Sequence, residues 1–225
     1  MRVILFGASG MVGQGVLREC LLDPEVEAVL SIGRADIDAR HEKLRHETVP
    51  DLFDLSALGG DLAGYDACLY CLGVSAAGMK EPAYRRVTFD LTLSTANALL
   101  AANASMTMCF VSGGGTNANS TTMWARVKGE AENALLAMPF GAAYMFRPGF
   151  IQPLHGIRSR TAAYRVFYAV FGPLFPIWRR LSPGLVTTTE HVGRAMLHVA
   201  KHGGPERVLE TAEINRVSSS SSAAS

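Results

Sequence analysis

A turn with three evenly spaced glycines near the start of the chain restricts the fold more than any other feature. Gly7, Gly10 and Gly13 follow the apolar run at positions 3–6 and precede residues with the apolar spacing of an amphipathic helix. This order of buried strand, glycine turn and helix is typical of a loop that binds a dinucleotide. In such a loop the first glycine permits the sharp turn, the second lets a pyrophosphate approach the backbone, and the third lets the helix pack closely on the sheet. The alternative is an ordinary strand-to-helix turn, since the spacing here is Gly-x-x-Gly-x-x-Gly.

The size and charge of the chain fit one α/β domain. Its 225 residues are enough to bury a sizeable core, and the net charge of +1 comes without a basic or acidic block. Nucleic acid is therefore not an expected partner. The first strand begins at residue 2 with no apolar leader before it, so we expect a cytoplasmic location. We assign residues 1–217 to the domain and residues 218–225, which begin with five serines, to a disordered tail.

The four cysteines are expected to be buried free thiols. Cys68 and Cys71 form a C-x-x-C pattern, but it lies within an apolar, strand-like run. Residues three positions apart point to opposite faces of a strand, which does not suit a redox pair or a zinc site. His41 and His46 lie in a charged stretch and are expected at the surface, and no metal site is predicted.

Apolar runs alternate with helical patterns along most of the chain. The alternation predicts an α/β fold with a doubly wound, mainly parallel sheet (a Rossmann fold), followed by a small substrate-side region at about 150–190. Further strands are predicted at 26–32, 46–49, 66–72, 106–111, 142–146 and 208–210, and helices at 82–102, around 123–129 and at 189–199.

The end of the predicted second strand bears on the choice of cofactor. In NAD sites an acidic residue at this position holds the ribose 2′-hydroxyl, whereas in NADP sites a nearby arginine meets the 2′-phosphate. Arg34 follows directly after Gly33, and Asp36 and Asp38 come slightly later. Arg34 is either a phosphate ligand or a solvated loop residue. We predict NADP as the cofactor, with NAD as the less favoured alternative.

Three other strand ends carry residues that suit the same cleft. Gly73 ends the fourth strand, where a missing side chain lets a cofactor approach the backbone. Asp51 and Leu52 follow the short third strand, at a position that suits the adenine side. Ser112 follows the fifth strand and precedes three glycines, so it either points into a catalytic cleft or is a turn serine.

Taken together, these motifs resemble the short-chain dehydrogenase/reductase superfamily, in its atypical, epimerase-like group. The resemblance extends from residue 2 to about residue 199, and it is nearest to the branch that contains the human Tat-interacting protein, which binds NADP. It rests on the glycine turn, Leu72-Gly73, Ser112, Lys128 and Arg147-Pro148-Gly149. It implies that Pro148 to Ile151 lie near the nicotinamide. The cofactor-binding positions predicted from motif and resemblance are Gly7, Ala8, Ser9, Gly10, Met11, Val12, Arg34, Asp51, Leu52, Leu72, Gly73, Val74, Lys128, Pro148, Gly149, Phe150 and Ile151.

One departure from the superfamily pattern concerns its catalytic pair, Tyr-x-x-x-Lys. This chain has Trp124 four residues before Lys128 instead. The resemblance implies that the tyrosine hydroxyl exchanges a proton with the substrate, while the lysine binds the ribose and lowers the tyrosine pKa. An indole N–H donates a hydrogen bond but is neither an acid nor a base near neutral pH. Ser112, Lys128 and Trp124 are the predicted catalytic positions, with the proton relay missing. Alternatively, Trp124 only fills the substrate cleft.

An apolar, aromatic segment at 162–178 lies between the sixth strand and the last predicted helix. An arginine, a glycine and prolines interrupt it, and it is shorter than the roughly 20 residues of a membrane-spanning helix. Three interpretations stay open: a lid over an apolar substrate pocket, a homo-oligomer interface, or a helix that rests on a membrane surface. The resemblance favours the lid, since substrate specificity in the superfamily lies in the C-terminal part.

Two functions are consistent with these features. The first is an NADP-dependent oxidoreductase, of an atypical kind, that acts on a small or apolar carbonyl or alcohol. The second is a cofactor-bound sensor or regulatory scaffold without turnover. The missing tyrosine favours the second, and Ser112 with Lys128 keeps the first open.

Overall fold

A parallel sheet forms the centre of the protein, whose computed structural model describes residues 1–157 and 184–220. In this sheet the strands lie in the order β3-β2-β1-β4-β5-β6-β9, and β7 and β8 form a second, two-stranded parallel sheet. The order reverses on either side of β1, so a crevice opens at the carboxyl ends of β1 and β4, where ligands of such sheets bind. The bounds are β1 Arg2–Phe6, β2 Ala28–Gly33, β3 Leu44–Thr48, β4 Ala67–Tyr70, β5 Thr107–Val111, β6 Ala142–Arg147, β7 Phe150–Gln152, β8 Val186–Thr188 and β9 Val208–Glu210.

Helices cover both faces of the large sheet. A 3₁₀ segment at Ser56–Leu62 follows β3, and a π-helical turn at Arg86–Asp90 joins α2 to α3. The apolar side chains of α1, α5 and α6 pack on one face, and those of α3 and α4 pack on the other. The helices are α1 Met11–Leu22, α2 Glu81–Arg85, α3 Leu91–Ala102, α4 Met123–Ala137, α5 Thr189–His202 and α6 Thr211–Ser220.

The central strand β1 shows why the sequence reads as a continuous apolar run. Val3 and Leu5 belong to the core on one face, and Ile4 and Phe6 belong to the core on the other, all of them with no exposed surface. Side chains alternate between the faces of a strand, so a sheet covered on both sides needs apolar residues at every position. This burial fixes the register of β1 and thereby the position of the glycine turn that follows it.

Helices α1 and α5 cross in close contact, which ties the C-terminal part of the chain to the glycine turn. A Cβ atom at Gly15 would lie 2.5 Å from the Cβ of Thr189, so only glycine permits this approach. Near this crossing, the buried Glu19 accepts a hydrogen bond of 3.0 Å from the Nε of Arg194. Helix α5 therefore supports α1, which begins beside the predicted phosphate site.

The predicted strands and helices are all present, with boundaries that shift by a few residues. Strands β7 and β8 were not predicted, because their pairing joins residues far apart in the chain. Helix α6 was not predicted either, and it extends past the predicted tail boundary at residue 218, which is therefore placed too early. Ser218 is buried within α6, and its hydroxyl donates to the carbonyl of Asn215. The apolar segment at 162–178 lies outside the described residues.

The cysteines divide between the two faces of the sheet as the strand geometry requires. Cys68 packs in one core and Cys71 against the other, and burial raises the pKa of both thiols. All four cysteines are free, and Cys71 alone is not fully buried. Within residues 1–157 and 184–220, no helix is long and apolar enough to cross a membrane. The same ranges contain no cluster of acidic, histidine and cysteine side chains placed to hold a metal ion.

Candidate functional site

The turn between β1 and α1 has the geometry that its glycines predict. Gly7 has a φ of +87°, and a Cβ atom there would lie 2.7 Å from the backbone of Cys71 at the end of β4. A Cβ atom at Gly13 would lie 2.0 Å from the carbonyl oxygen of Gly7. At Gly10 the same test gives 3.4 Å, so the fold itself does not exclude a side chain there. Gly7 and Gly13 are therefore required by the turn, whereas the turn does not require glycine at position 10, where a ligand is predicted to approach the backbone.

The N-terminus of α1 carries no acidic group that would compete with an anion. Gly10 is the N-cap residue without a side-chain cap, and the first turn from Met11 contains no acidic residue. Helix N-termini present backbone N–H groups and a partial positive charge. Met11 and Val12, both predicted to bind the cofactor, form this first turn.

A cavity of about 290 Å³ opens beside the turn, at the carboxyl ends of β1, β2 and β4. No aspartate or glutamate is among the described residues that line it, and Arg34 and His46 supply its polar side chains together with Ser9. Residues from four predicted segments meet here. They are the glycine turn and the residues that follow β2, β3 and β4. The lining residues are Gly7, Ala8, Ser9, Ile32, Gly33, Arg34, Ala35, Ile37, His46, Leu52 and Leu72.

Asp36 and Asp38, the two carboxylates that follow Arg34, are not among the described residues that line this cavity, although both line the larger cavity beside it. Asp36 forms an exposed ion pair of 3.1 Å with Arg40 and accepts a hydrogen bond from the backbone N–H of Ile37. That backbone hydrogen bond and the Arg40 guanidinium hold the pKa of Asp36 below its ordinary value.

A larger cavity of about 510 Å³ lies along α1, and it shares Ala8, Ser9 and Ile37 with the first. Its lining is mostly apolar and includes Leu17, Leu21 and Ile157, with Arg18, His41 and two aspartates. None of the predicted catalytic residues lines it.

Some predicted cofactor positions do not line the smaller cavity. The Asp51 carboxylate accepts a hydrogen bond of 3.0 Å from the N–H of Phe53 and so caps its own turn. Gly73 and Val74 follow β4, and nothing would lie within 4 Å of a Cβ atom at Gly73. The space beside Gly73 has room for a ligand. No described protein atom there requires the residue to be glycine.

Lys128 and Ser112 meet where α4 passes the end of β5. The Nζ of Lys128 donates a hydrogen bond of 2.6 Å to the carbonyl oxygen of Ser112. Burial lowers the pKa of Lys128 to about 8, and the nearby carboxylate of Glu132 partly opposes this shift. A lysine with such a pKa exists in both charge states near neutral pH, as groups at functional sites often do.

The Ser112 side chain is held by a neighbouring threonine that the sequence analysis did not identify. Ser112 Oγ lies 2.8 Å from Thr116 Oγ1, and both residues are buried. Thr116 donates to the carbonyl of Gly113 at 2.8 Å, so its own proton is used there and the Ser112 hydroxyl donates to Thr116. The Ser112 hydroxyl must therefore exchange this hydrogen bond before it can donate to a ligand.

Trp124 lies one helical turn before Lys128, and its ring reaches the turn that follows Ser112. The Cη2 atom of Trp124 would lie 3.6 Å from a Cβ atom at Gly115. The side chain is half-buried. Helix α4 thus carries an indole and an amine on one face, beside the turn at 113–115.

An ion pair between the partly exposed Arg147 and the buried Glu132 holds the end of β6, from which the predicted nicotinamide loop continues. Arg147 Nε donates to Glu132 Oε1 at 3.0 Å, and Arg147 Nη1 donates to the exposed Glu210 at 3.1 Å. Glu132 has an exposed fraction of 1% and lies one turn after Lys128 on α4. The spacing of four residues from Lys128 is a signal that the sequence analysis did not use.

The loop that begins at Pro148 lies beside the turn after Ser112. The N–H of Gly114 donates to the carbonyl of Pro148 at 2.8 Å. A Cβ atom at Gly149 would lie 2.6 Å from the carbonyl oxygen of Leu185, so this position requires glycine. Phe150 and Ile151 continue as β7, and the Phe150 side chain is exposed.

Comparison with known proteins identifies relatives that match most of the chain. Protein HTATIP2 of Rattus norvegicus is 27% identical over 216 residues, which cover 94% of this chain and 87% of that protein. The mitochondrial protein fmp52 of Emericella nidulans is 27% identical over 206 residues, which cover 87% and 85%. No family model matches the sequence.

Solved structures show the same fold. The Bordetella bronchiseptica enzyme WbmF in complex with NAD⁺ superposes with a TM-score of 0.68 at 17% identity, covering 99% of this chain and 77% of that one. The short-chain dehydrogenase/reductase YIR035C of Saccharomyces cerevisiae gives a TM-score of 0.63 at 13% identity, with coverage of 93% and 95%. Together with the sequence relatives, these structures confirm the predicted resemblance: the chain is similar in sequence to proteins HTATIP2 and fmp52, and it has the Rossmann-like fold of short-chain dehydrogenases/reductases.

Proposed function

We propose that this protein binds NADP and acts as an atypical oxidoreductase of the short-chain dehydrogenase/reductase type, on a small or apolar carbonyl or alcohol. The observation that carries the proposal is the cavity at the strand ends, where Gly7 and Arg34 meet the apolar side chains of Ile32 on β2 and of Leu72 just after β4. Its position at the reversal of strand order is the usual ligand site of such sheets. The glycines at positions 7 and 13 are required by the turn, and Gly10 leaves the backbone open to the close approach that a dinucleotide needs.

The preference for NADP over NAD rests on the charges around this cavity. Arg34 is exposed at its rim, while Asp36 is paired with Arg40 outside it. A guanidinium matches the geometry of a phosphate, and a carboxylate at this position would repel one. NAD would lack the phosphate and find no carboxylate for its ribose among the described lining residues.

Lys128 and Ser112 would serve the reacting end of the cleft. A bound NADPH would supply a hydride, and the chain itself would have to position the substrate and deliver a proton. Lys128, already aligned by the Ser112 carbonyl, is the candidate to hold the nicotinamide ribose. Ser112 is the candidate to polarise a carbonyl, after its hydroxyl leaves Thr116. The loop 148–151 is the candidate wall beside the nicotinamide.

A second candidate function is a cofactor-bound sensor or regulatory scaffold without turnover. Trp124 favours it, because this residue stands one turn before Lys128, where the superfamily pattern has its proton-donating tyrosine. An indole N–H does not release its proton near neutral pH. Tight cofactor binding without a proton donor would suit a protein that reports the state of its cofactor.

One experiment separates these functions. Titration calorimetry with NADPH and NADH measures binding, and the loss of nicotinamide absorbance with a panel of carbonyl compounds measures turnover. Turnover supports the oxidoreductase, and tight binding without turnover supports the sensor. If neither nucleotide binds, both proposals fail.

Location and assembly stay predictions. We propose a cytoplasmic location, although the fungal relatives bear the name of mitochondrial proteins. A small-molecule substrate is the proposed partner. A homo-oligomer interface and contact with a membrane surface remain the alternatives for the segment at 162–178.

A further inference from the structure

His46 connects the edge strand β3 to the loop that carries Arg34. Its Nδ1 lies 3.0 Å from the hydroxyl oxygen of Ser31, the residue opposite it on β2. Its Nε2 lies 3.1 Å from the carbonyl oxygen of Ala35. The imidazole therefore bridges a fixed point in the sheet and the backbone directly after Arg34.

The chemistry of the partners fixes the hydrogen on one ring nitrogen. A backbone carbonyl only accepts, so Nε2 carries the hydrogen that is donated to Ala35. In the neutral imidazole, Nδ1 is then the acceptor, and the Ser31 hydroxyl donates a hydrogen bond to it. Ser31 has no exposed surface, so this hydroxyl needs a partner inside the protein, and His46 provides it.

The surroundings of the ring relate it to the cofactor cavity. His46, Ala35 and Arg34 all line the cavity of about 290 Å³. A Cβ atom at Gly33 would lie 3.5 Å from the His46 Cε1, so the ring packs against the end of β2. The nearby Asp36 carboxylate is paired with Arg40. Both ring nitrogens are hydrogen-bonded within the protein. His46 can therefore affect ligand binding in the cavity by holding the backbone of Ala35.

We infer that His46 is a positioning residue for the adenosine end of the cofactor. It holds the backbone at Ala35, and thereby directs Arg34 toward the phosphate on the adenosine ribose. The inference rests on the proposed preference for NADP. Without the imidazole, the loop that carries Arg34 gains conformational freedom. The exposed arginine then loses more conformational entropy when it binds a phosphate, which weakens the binding.

The test compares two small probes that differ by the relevant phosphate. Calorimetry measures the binding of adenosine 2′,5′-bisphosphate and of adenosine 5′-monophosphate to the wild type and to variants of the full chain. The wild type is expected to prefer the bisphosphate. His46→Ala is expected to lose about tenfold of this preference, the scale of one hydrogen bond. His46→Gln, which offers an amide donor and acceptor, should retain more of it.

Ser31→Ala supplies a second variant, because it removes only the hydroxyl that orients the ring. It should reduce the preference in the same direction even if His46→Ala does not fold. Thermal unfolding of each variant shows whether the fold is retained. A merely structural role would weaken the binding of both probes equally, and that result overturns the inference.

The variant Arg34→Ala distinguishes a failure of the positioning role of His46 from a failure of the proposed preference for NADP. If the wild type prefers the bisphosphate and Arg34→Ala removes the preference, while the His46 and Ser31 variants keep it, only the role of His46 is wrong. If the wild type binds both probes equally, the proposed NADP preference is wrong and the role of His46 is overturned with it.

Discussion

The ammonium group of Lys128 donates a hydrogen bond of 2.6 Å to the backbone carbonyl of Ser112. This contact fixes α4 against the end of β5 and determines where the amine can reach. It also leaves the charge of Lys128 in a poorly solvated site, in which Glu132 is the carboxylate that offsets it. The hydrogen bond to the backbone therefore holds the amine in place, and burial disfavours its charged form.

The lowered pKa of Lys128 predicts a pH dependence of cofactor binding. The ammonium loses its proton as the pH rises through about 8, well below the ordinary value of 10.5. If the ammonium holds the cofactor, the affinity for NADPH should fall several-fold between about pH 7 and pH 9. Calorimetry at both pH values measures this change. Lys128→Met should bind more weakly at the lower pH and show a flat profile, whereas an equal fall in that variant would exclude Lys128 as its cause.

The same shift has a consequence for stability with a defined sign. Between the folded pKa of about 8 and the ordinary value of 10.5, the unfolded chain binds more protons at Lys128 than the folded chain does. The contribution of Lys128 to the free energy of unfolding therefore rises with pH across this window. Lys128→Met removes this contribution, so urea denaturation should show that the wild type gains stability relative to the variant as the pH rises from about 8 to about 10.

Arg34 predicts the choice of cofactor. Arg34→Ala should weaken NADPH binding by about 1–3 kcal/mol, the scale of a charge-assisted contact, and should change NADH binding little. Arg40→Ala is the matched control, since Arg40 belongs to the same loop but is paired with Asp36 and does not line the cavity. Equal or tighter binding of NADH by the wild type would contradict the assignment of Arg34.

The two carboxylates that contact Arg147 predict different effects on stability. Glu132 is buried, whereas the side chain of Glu210 is 51% exposed. Glu132→Gln leaves the Arg147 guanidinium without its buried counter-charge and should lower the free energy of unfolding by about 1.5–3 kcal/mol. Glu210→Gln should lower it by less than about 1 kcal/mol, because exposed ion pairs contribute little. Urea denaturation measures both, and equal midpoints would show that burial does not decide the strength of this pair.

Much of the fold could be predicted because its signals are local and repeated. The run at positions 3–6 and the glycines at 7 and 13 fix the first strand, turn and helix without reference to the rest of the chain. Arg34, Leu52 and Leu72 meet at one cavity because the carboxyl ends of parallel strands share an edge of the sheet. The prediction needed only a parallel sheet, which the alternation of strand and helix patterns indicates.

The missed features depend on contacts between distant residues. His46 lies among charged neighbours, so its sequence context indicates a surface residue, yet its ring meets the buried Ser31 on β2. Ser218 lies in a run of serines, and its burial follows from the packing of α6. Neither side chain has a periodic signal strong enough to reveal the contact before the sheet is assembled.

Trp124 gives the last prediction, which concerns the proton that carbonyl reduction requires. Helix α4 places residue 124 one turn before Lys128, beside the turn at 113–115. If this is the position of the superfamily's tyrosine, the wild type should bind cofactor and reduce carbonyl compounds poorly. General acid catalysis is typically worth about 10²–10⁴-fold, so Trp124→Tyr should raise any reductase activity measurably. Steady-state rates with NADPH and a panel of carbonyl compounds measure the effect.

The gain in the tyrosine variant has a second explanation, because the smaller side chain enlarges the cleft. Trp124→Phe separates the two causes, since it shrinks the side chain similarly and supplies no hydroxyl. A higher activity in the tyrosine variant than in the phenylalanine variant identifies the phenol as the proton donor, and equal activities show that space alone was limiting. Efficient reduction by the wild type that is lost in Ser112→Ala, and not in variants at position 124, would assign the proton transfer to the Ser112 side of the cleft. If the Lys128 amine holds the ribose as proposed, Lys128→Ala should weaken cofactor binding in both the tryptophan and tyrosine backgrounds, because this contact does not depend on which group supplies the proton.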